Sequence, residues 1–416
     1  MHLYVLPLLF ILAGLALYTI LGGADFGAGV WQLFSLLTPD RPGTARAQAE
    51  HLREHTHHAI GPVWEANHVW LIFVLTVSWT AYPGAFSAIA STLALPLLIA
   101  AVGIVFRGLG YALRTVPTGN RALRRIDGLF SVASVLTPFA LGTIVGAIAS
   151  GRVPRGNAAG SLISSWLNPT SVLVGVLFIV VSAYLAAVYL AADARRVGAS
   201  HLAEAFRTRA LVAAVAAGAV AIVGLFVLHG DAHRLYARLL SGPGIVGVAL
   251  SGTGGLATVG LVLARRFGAA RLSAAVAVVG LITGWALAQQ PELLPGLSLH
   301  AAAASSSTQI AVIIAVAMGG IIIFPSLGVL FGLFLRGRFD GAERDFELVV
   351  SESGRRLPAS LIRRCAGAGL LGGVVFLTLL DPPWAHIIGV TCLIACAVFT
   401  FMALEPGEEA LQSPSV

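Results

Sequence analysis

Long apolar runs, separated by short polar or Gly/Pro-rich breaks, dominate this chain. They fall at 3–22, 63–82, 86–106, 129–149, 170–192, 210–229, 244–264, 272–288, 309–335, 366–381 and 387–404. Roughly 20 apolar residues carry a helix across a bilayer. The pattern therefore predicts an all-α polytopic membrane protein with about eleven helices. The run at 272–288 is short for a crossing, and 309–335 is long enough to tilt or to continue past the membrane. The Gly- and Ser-rich stretch 241–255 reads as a loop leading into a small-residue helix face that favours close packing. The tail from Glu405 onward is predicted to be short and disordered.

The polar positions sharpen this picture. Every one of the 26 basic residues is Arg, and 22 of them fall in loops after odd-numbered runs. The opposite side holds only Arg152, Arg155, Arg234 and Arg238. Basic residues concentrate in cytoplasmic loops, so the asymmetry predicts an N-terminus outside and a C-terminus in the cytoplasm. The net charge of +7 thus reads as membrane topology, and no nucleic-acid partner is implied. The first helix is expected to be retained, because Met1–Leu21 lacks a basic leader and a small-residue cleavage site. The charged segment 336–364 reads as a cytoplasmic linker with a surface helix, dividing a nine-helix body from a two-helix C-terminal piece. Cys365, Cys392 and Cys396 form neither a disulfide framework nor a metal-ligand spacing and read as small apolar fillers.

With 57% hydrophobic and 11% charged residues, the few ionisable groups near the apolar runs stand out. Asp25 lies in GGADFGAGVW at the end of the first run, with glycines at 22, 23, 27 and 29 around it. The bareness of those positions lets another helix approach closely. An acid there serves as a proton relay, or else caps or pairs with an Arg at the membrane surface. The second run opens with GPVWEANHVWL. Its Glu65 is a second relay candidate, although an acid at a helix start also suits the helix dipole. Trp64 suits the headgroup level. His68 is the one histidine of the 51–68 cluster on a membrane helix, with a hydrogen-bonding or interface role preferred over haem ligation. Both acids are expected near the cytoplasmic face. Arg107, in IVFRGLGYALR, pairs with one of them or snorkels to the interface. No phosphate-binding loop, dinucleotide fingerprint or c-type haem motif is present.

GADFGAGVW at 23–31, GPVWEANHVWL at 61–71, Ala-Tyr-Pro at 81–83, RGLGYALR at 107–114 and the stretch Leu297–Pro325 resemble subunit II of cytochrome bd-type quinol oxidases. The resemblance covers residues 1–338 and implies two four-helix bundles plus a peripheral helix in a bacterial cytoplasmic membrane. It implies a partner subunit I that carries haem b, with or without haem d, and the quinol-oxidation site. Subunit II supplies no axial haem ligand and no catalytic residue. It stabilises the quinol:oxygen oxidoreductase complex, lends acids to a proton path from the cytoplasm, and can hold a structural quinone. Asp25 matches the acid of the first motif. Trp64 and Glu65 match a Trp–acid pair whose acid is elsewhere Asp. Asn67 is retained, and His68 replaces a frequent Glu. Residues 339–364 (linker) and 365–416 (two helices and tail) have no counterpart in the usual subunit, and are expected to substitute for an accessory single-helix subunit. Two other readings compete: a secondary transporter of a small solute, suggested by abundant Gly and intramembrane polar residues, and a purely structural assembly subunit.

Overall fold

The structure is a computed structural model that describes residues 2–37, 67–113, 120–335, 359–378 and single positions between 382 and 399. It divides into two compact units, Met1–Ile321 and Ile322–Val416. The described residues are almost wholly helical, in the order α1 (Leu6–Leu37, entered through a 3-10 turn at Leu3–Val5), α2 (Asn67–Ala81), α3 (Pro83–Thr92), α4 (Ala94–Leu113), α5 (Asn120–Ala149), α6 (Pro169–Arg196) and α7 (Ser200–Asp231). There follow α8 (His233–Ser241), α9 (Ile245–Leu263), α10 (Phe267–Gln289), an antiparallel pair of short strands β1 (Glu292–Leu294) and β2 (Leu297–Ser298), α11 (Leu299–Ala302), α12 (Ser306–Leu335) and α13 (Ala359–Thr378). Eight helices among the described residues are long and apolar enough to cross a membrane, and α2 is a shorter apolar helix. The polytopic all-α expectation holds.

Four local differences from the hydropathy pattern have physical causes. First, α1 does not end near residue 22; it continues to Leu37. Asp25 interrupts the apolar run without interrupting the helix, because its charge is met inside the protein. Second, the run at 86–106 is two helices joined at Leu93 (φ −104°, ψ 27°). Pro96 has no N–H to give the Thr92 carbonyl, and its ring crowds that carbonyl, so the helix jogs there. Third, 272–288 is part of a full 23-residue helix. Arg271 lies inside it rather than in a loop: its guanidinium donates to the Tyr189 carbonyl at 2.7 Å and stacks 5.3 Å from the Tyr189 ring.

The fourth difference is α8, a nine-residue helix that a membrane-length window averages away. Its Leu235 packs with Ala232 and Ala288, flanked by Leu239 and Trp285. Arg234 faces Glu292 at 3.5 Å, and Arg238 donates to the Gln290 carbonyl. The preceding Asp231, at the end of α7, accepts from the backbone N–H (3.2 Å) and hydroxyl (2.6 Å) of Thr170 and from Arg152 (2.6 Å). It therefore satisfies orphan donors of the α6 N-terminus that Asn168, accepting from Ser171 N–H at 2.9 Å, does not reach. Glu204, in the first turns of α7, accepts from Arg265, in the turn after α9, at 2.5 Å and from Arg207 at 3.2 Å. The hydrogen bond and charge of Glu204 push the exposed Arg265 guanidinium above its ordinary range.

Two apolar clusters hold the first unit together. One joins α1, α6, α7 and α10 around Ala28, Leu185, Ala187, Phe206 and Ala274; the other joins α2 through α5 with the strand pair and the start of α12 around Tyr82, Leu93, Val153 and Leu294. Alanine is abundant in the first because the helices approach so closely. A Cβ added at Gly27 would overlap the Ser182 carbonyl, and one at Gly29 would overlap Ser134. Small residues at such crossings let dispersion contacts do what the hydrophobic effect does in water. In the second unit, α13 is helical and Gly372 packs against Cys392.

Candidate functional site

Close approaches at Gly14 (α1 to α2), Gly29 (α1 to α5) and Gly103 (α4 to α5) bring α1, α2, α4 and α5 together around Asp25. Asp25, Asn67 and Arg107 are each 0% exposed. The Arg107 guanidinium, from α4, forms an ion pair with Asp25 Oδ1 and also donates to the Asp25 backbone carbonyl at 3.1 Å. Asn67 Nδ2, from the start of α2, donates to Asp25 Oδ2 at 2.8 Å. Both carboxylate oxygens thus accept a hydrogen bond, one of them from a cation. Arg107 Nη1 donates to Ser134 Oγ at 2.9 Å, and that hydroxyl donates to the Phe130 carbonyl at 2.7 Å.

The guanidinium is also clamped face to face. Its Cζ lies 4.7 Å from the centroid of Phe26 and 4.6 Å from that of Phe130. A desolvated cation over an aromatic face gains about 2 kcal/mol per contact, and here a ring covers each face of the guanidinium. His68 on α2 and Tyr18 on α1 both act on this charge pair, the imidazole reaching Asp25 electrostatically and the Tyr18 ring resting edge-on against Phe26 at 6.3 Å. Four elements of the chain therefore converge on one buried ion pair. An intramembrane charge pair of this kind is costly to assemble and marks function or obligatory structure.

The sequence candidates divide accordingly. Asp25, Asn67, His68 and Arg107 come together. Asp25 and Arg107 lie within helices and not at a membrane-surface loop, which corrects the expectation that Arg107 ends its helix and Asp25 its run. Trp64, Glu65 and the histidines at 51, 55, 57 and 58 lie outside the described residues. Ser134, Phe26, Phe130 and Tyr18 escaped the sequence reading. Phe26 adjoins Asp25, and Phe130 and Ser134 are an i, i+4 pair in LFSVAS, so helical spacing held a signal for them. Among the described residues, no three His, Cys, Asp or Glu side chains converge as a metal site would require.

Comparison with known proteins adds a lineage to this geometry. The chain is 25% identical over 157 residues to cytochrome bd ubiquinol oxidase subunit 2 of Bacillus subtilis, an alignment covering 38% of this chain and 43% of that protein. It is 28% identical over 182 residues to cytochrome bd-I ubiquinol oxidase subunit 2 of Escherichia coli, covering 41% of this chain and 46% of that one. The matched regions thus span less than half the length of these curated relatives. A chain in the structure of bd oxidase from Geobacillus thermodenitrificans shares the fold, with a TM-score of 0.61 at 24% identity over 80% of this chain and 99% of that one. The family profile described as cytochrome bd terminal oxidase subunit II matches residues 3–334. With nearly the whole helical body matched, this chain belongs to the cytochrome bd terminal oxidase subunit II family.

Proposed function

We propose that this chain is the second subunit of a membrane complex that passes electrons from quinol to dioxygen. Its partner bears haem b, with or without haem d, and oxidises the quinol; this chain stabilises that partner and carries acids of a proton path opening on the cytoplasm. The Arg asymmetry supports an N-terminus outside and a C-terminus in the cytoplasm of a bacterial inner membrane. The C-terminal segment beyond residue 338 takes the place of an accessory single-helix subunit.

The observation that carries the proton-path reading is the buried Asp25–Arg107 pair. Reduction of dioxygen consumes protons, so an oxidase buried in a membrane needs polar groups leading inward. Asp25 supplies a carboxylate, Asn67 and Arg107 fix its orientation, and the two Phe rings shut out bulk water. A proton that reaches Asp25 meets a fixed guanidinium charge, which shortens its residence and favours onward release. Glu65, two positions before Asn67 in the chain, is the second acid of this reading.

The test is purification of the tagged chain from its native membrane in mild detergent, followed by a reduced-minus-oxidised optical spectrum and quinol-dependent oxygen uptake. A second polytopic subunit with haem bands is the expected companion. Asp25→Asn and Glu65→Gln should then slow oxygen uptake per haem, and Asp25→Asn, which leaves Arg107 unpaired, should also lower the yield of assembled complex. A colourless, solitary chain would overturn the oxidase reading. Unchanged uptake in both variants would reduce the chain to a structural role.

A further inference from the structure

A second line of buried polar groups runs away from the ion pair along α5. Asp127, Ser131, Ser134 and Thr137 follow at i, i+4, i+7 and i+10, one face of a helix. All four are buried, Asp127 at 3% exposure and the others at 0%. Ser134 and Thr137 behave as mid-helix hydroxyls usually do, donating back to the carbonyls of Phe130 and Ala133. Ser131 does not: its hydroxyl has no partner among the described residues.

The facing helix repeats the anomaly. Gln32 lies seven residues beyond Asp25 and three beyond Gly29 on α1. It is 6% exposed, and its Nε2 has no partner among the described residues. Gly29 abuts Ser134 and Phe130. α1 and α5 cross in opposite senses, so three residues forward on one and three back on the other move the same way by about 4.5 Å. Gln32 and Ser131 therefore stand at one level of the seam. Nearer the ion pair, Arg107 Nε, Asn67 Oδ1 and Tyr18 OH are likewise buried without partners among the described residues. Buried polar atoms are almost always hydrogen-bonded, and orphans clustered in a polar seam call for bound water.

We propose that the α1–α5 seam holds a file of bound water that joins Asp127 to the Asp25–Arg107 pair through Ser131 and Gln32. Asp127 is then the acid at which a proton enters from the Arg-rich end of α5. Asp127 and Ser131 are about 6 Å apart along the helix and Ser131 and Ser134 about 4.5 Å. One water making two hydrogen bonds spans about 5.6 Å, so a single molecule fills each gap. The carboxylate of Asp127 takes up a proton and gives it to the first water. Each oxygen in the file accepts one proton on one side and releases another on the far side, so the waters and hydroxyls keep their net charge and Asp127 returns to a carboxylate once its proton has moved on. Gln32 and Ser131 position the waters and do not themselves titrate.

This inference rests on the proton-path reading given above, and the test separates the two. The intact two-subunit complex is assayed for haem content and for oxygen uptake with a soluble quinol, in ordinary and in heavy water. Asp127→Asn should lower steady-state uptake about tenfold or more with the haem spectrum unchanged and a larger solvent isotope effect; Asp127→Glu should restore most of the rate. Ser131→Val, whose branch fills the water position, should slow uptake and raise the isotope effect. Ser131→Ala, which leaves room for a replacement water, should do so much less. If Asp127→Asn prevents assembly, the Ser131 pair decides alone. Wild-type rates in Ser131→Val, together with a slow Asp25→Asn, would overturn the seam and leave the Asp25 reading standing. Wild-type rates in Asp25→Asn as well would remove both.

Discussion

Gln309, near the start of α12, donates its side-chain amide to the carbonyl of Ala81 at 2.8 Å, joining residues 228 positions apart. That carbonyl stands at the boundary where Pro83 ends α2 and Tyr82 leaves helical geometry (φ −136°, ψ 59°). Ala304 N–H donates to the same oxygen at 2.9 Å. The kink between α2 and α3 is thus a socket that receives the beginning of α12. Gln309→Leu should weaken it by roughly 1 kcal/mol, since Ala304 still satisfies the carbonyl. A lowered thermal midpoint of the detergent-solubilised protein, with unchanged spectra, is the expected result.

The Asp25–Arg107 pair allows a sharper experiment. Removing one member of a buried pair leaves an uncompensated charge and costs about 3–5 kcal/mol, whereas removing both costs less. Arg107→Met should sharply reduce the yield of folded protein, and Arg107→Met combined with Asp25→Leu should recover a substantial part of it. Arg107→Lys should not substitute, because an ammonium cannot bridge Asp25 and Ser134 at once while lying flat between Phe26 and Phe130. A double-mutant cycle on thermal stability measures the coupling.

At the α1–α6 crossing, Gly27→Ala would drive a methyl group into the Ser182 carbonyl, a backbone atom that cannot rotate away. Separating the helices also disturbs Gly23, which faces Leu185. Overpacking of this kind costs about 1–3 kcal/mol and sometimes more. Gly218, with nothing near its missing Cβ, is the control: Gly218→Ala should be neutral or mildly stabilising.

Asp231 is the remote cap of α6. Asp231→Ala should cost about 1–2 kcal/mol through the loss of both Thr170 contacts. Asp231→Asn, which keeps acceptor oxygen but not charge, should retain more stability. Arg152, the other partner of Asp231, is 39% exposed, so Arg152→Ala should cost less than about 1 kcal/mol. Hydrogen exchange at the first turn of α6 is the direct readout.

Truncation after Arg338 tests the proposed role of the C-terminal segment. Loss of haem content or of complex stability is the expected outcome. A complex with unchanged haem and melting temperature would leave that segment without the accessory role.

Much of the helical body was legible because lipid enforces a simple rule: an apolar run of membrane length becomes a helix. The eight long spans follow from it, and the Asp25 and Arg107 motifs stood out because charge is rare among them. What hydropathy hid is instructive. Asp25 looked like a run's end because a window sums polarity and cannot know that Arg107, 82 residues later, neutralises it. The amphipathic α8 is too short for such a window, and its pattern averages away. Ser131 and Ser134 read as small and neutral. Only the folded structure distinguishes the hydroxyl of Ser134, which bonds its own helix, from that of Ser131, which has no partner among the described residues.

The separation of Asp25 from its partners along the chain also bears on how the protein is made. At ribosomal rates of about 5–20 residues per second, Arg107 follows Asp25 by roughly 4–16 s. Throughout that interval α1 carries an unpaired acid, for which mid-membrane insertion costs on the order of 2.5–3.5 kcal/mol. The leucine- and isoleucine-rich first half of α1 offsets that burden, the helix having a mean hydropathy of 2.3 over its most apolar window. Ser134, which completes the clamp, comes later still. The first helix is therefore a tenant awaiting its neighbours, and the insertion machinery must hold or shield it until the fourth crossing has been synthesised. Biogenesis of this subunit is thereby committed to a delay written into its first motif.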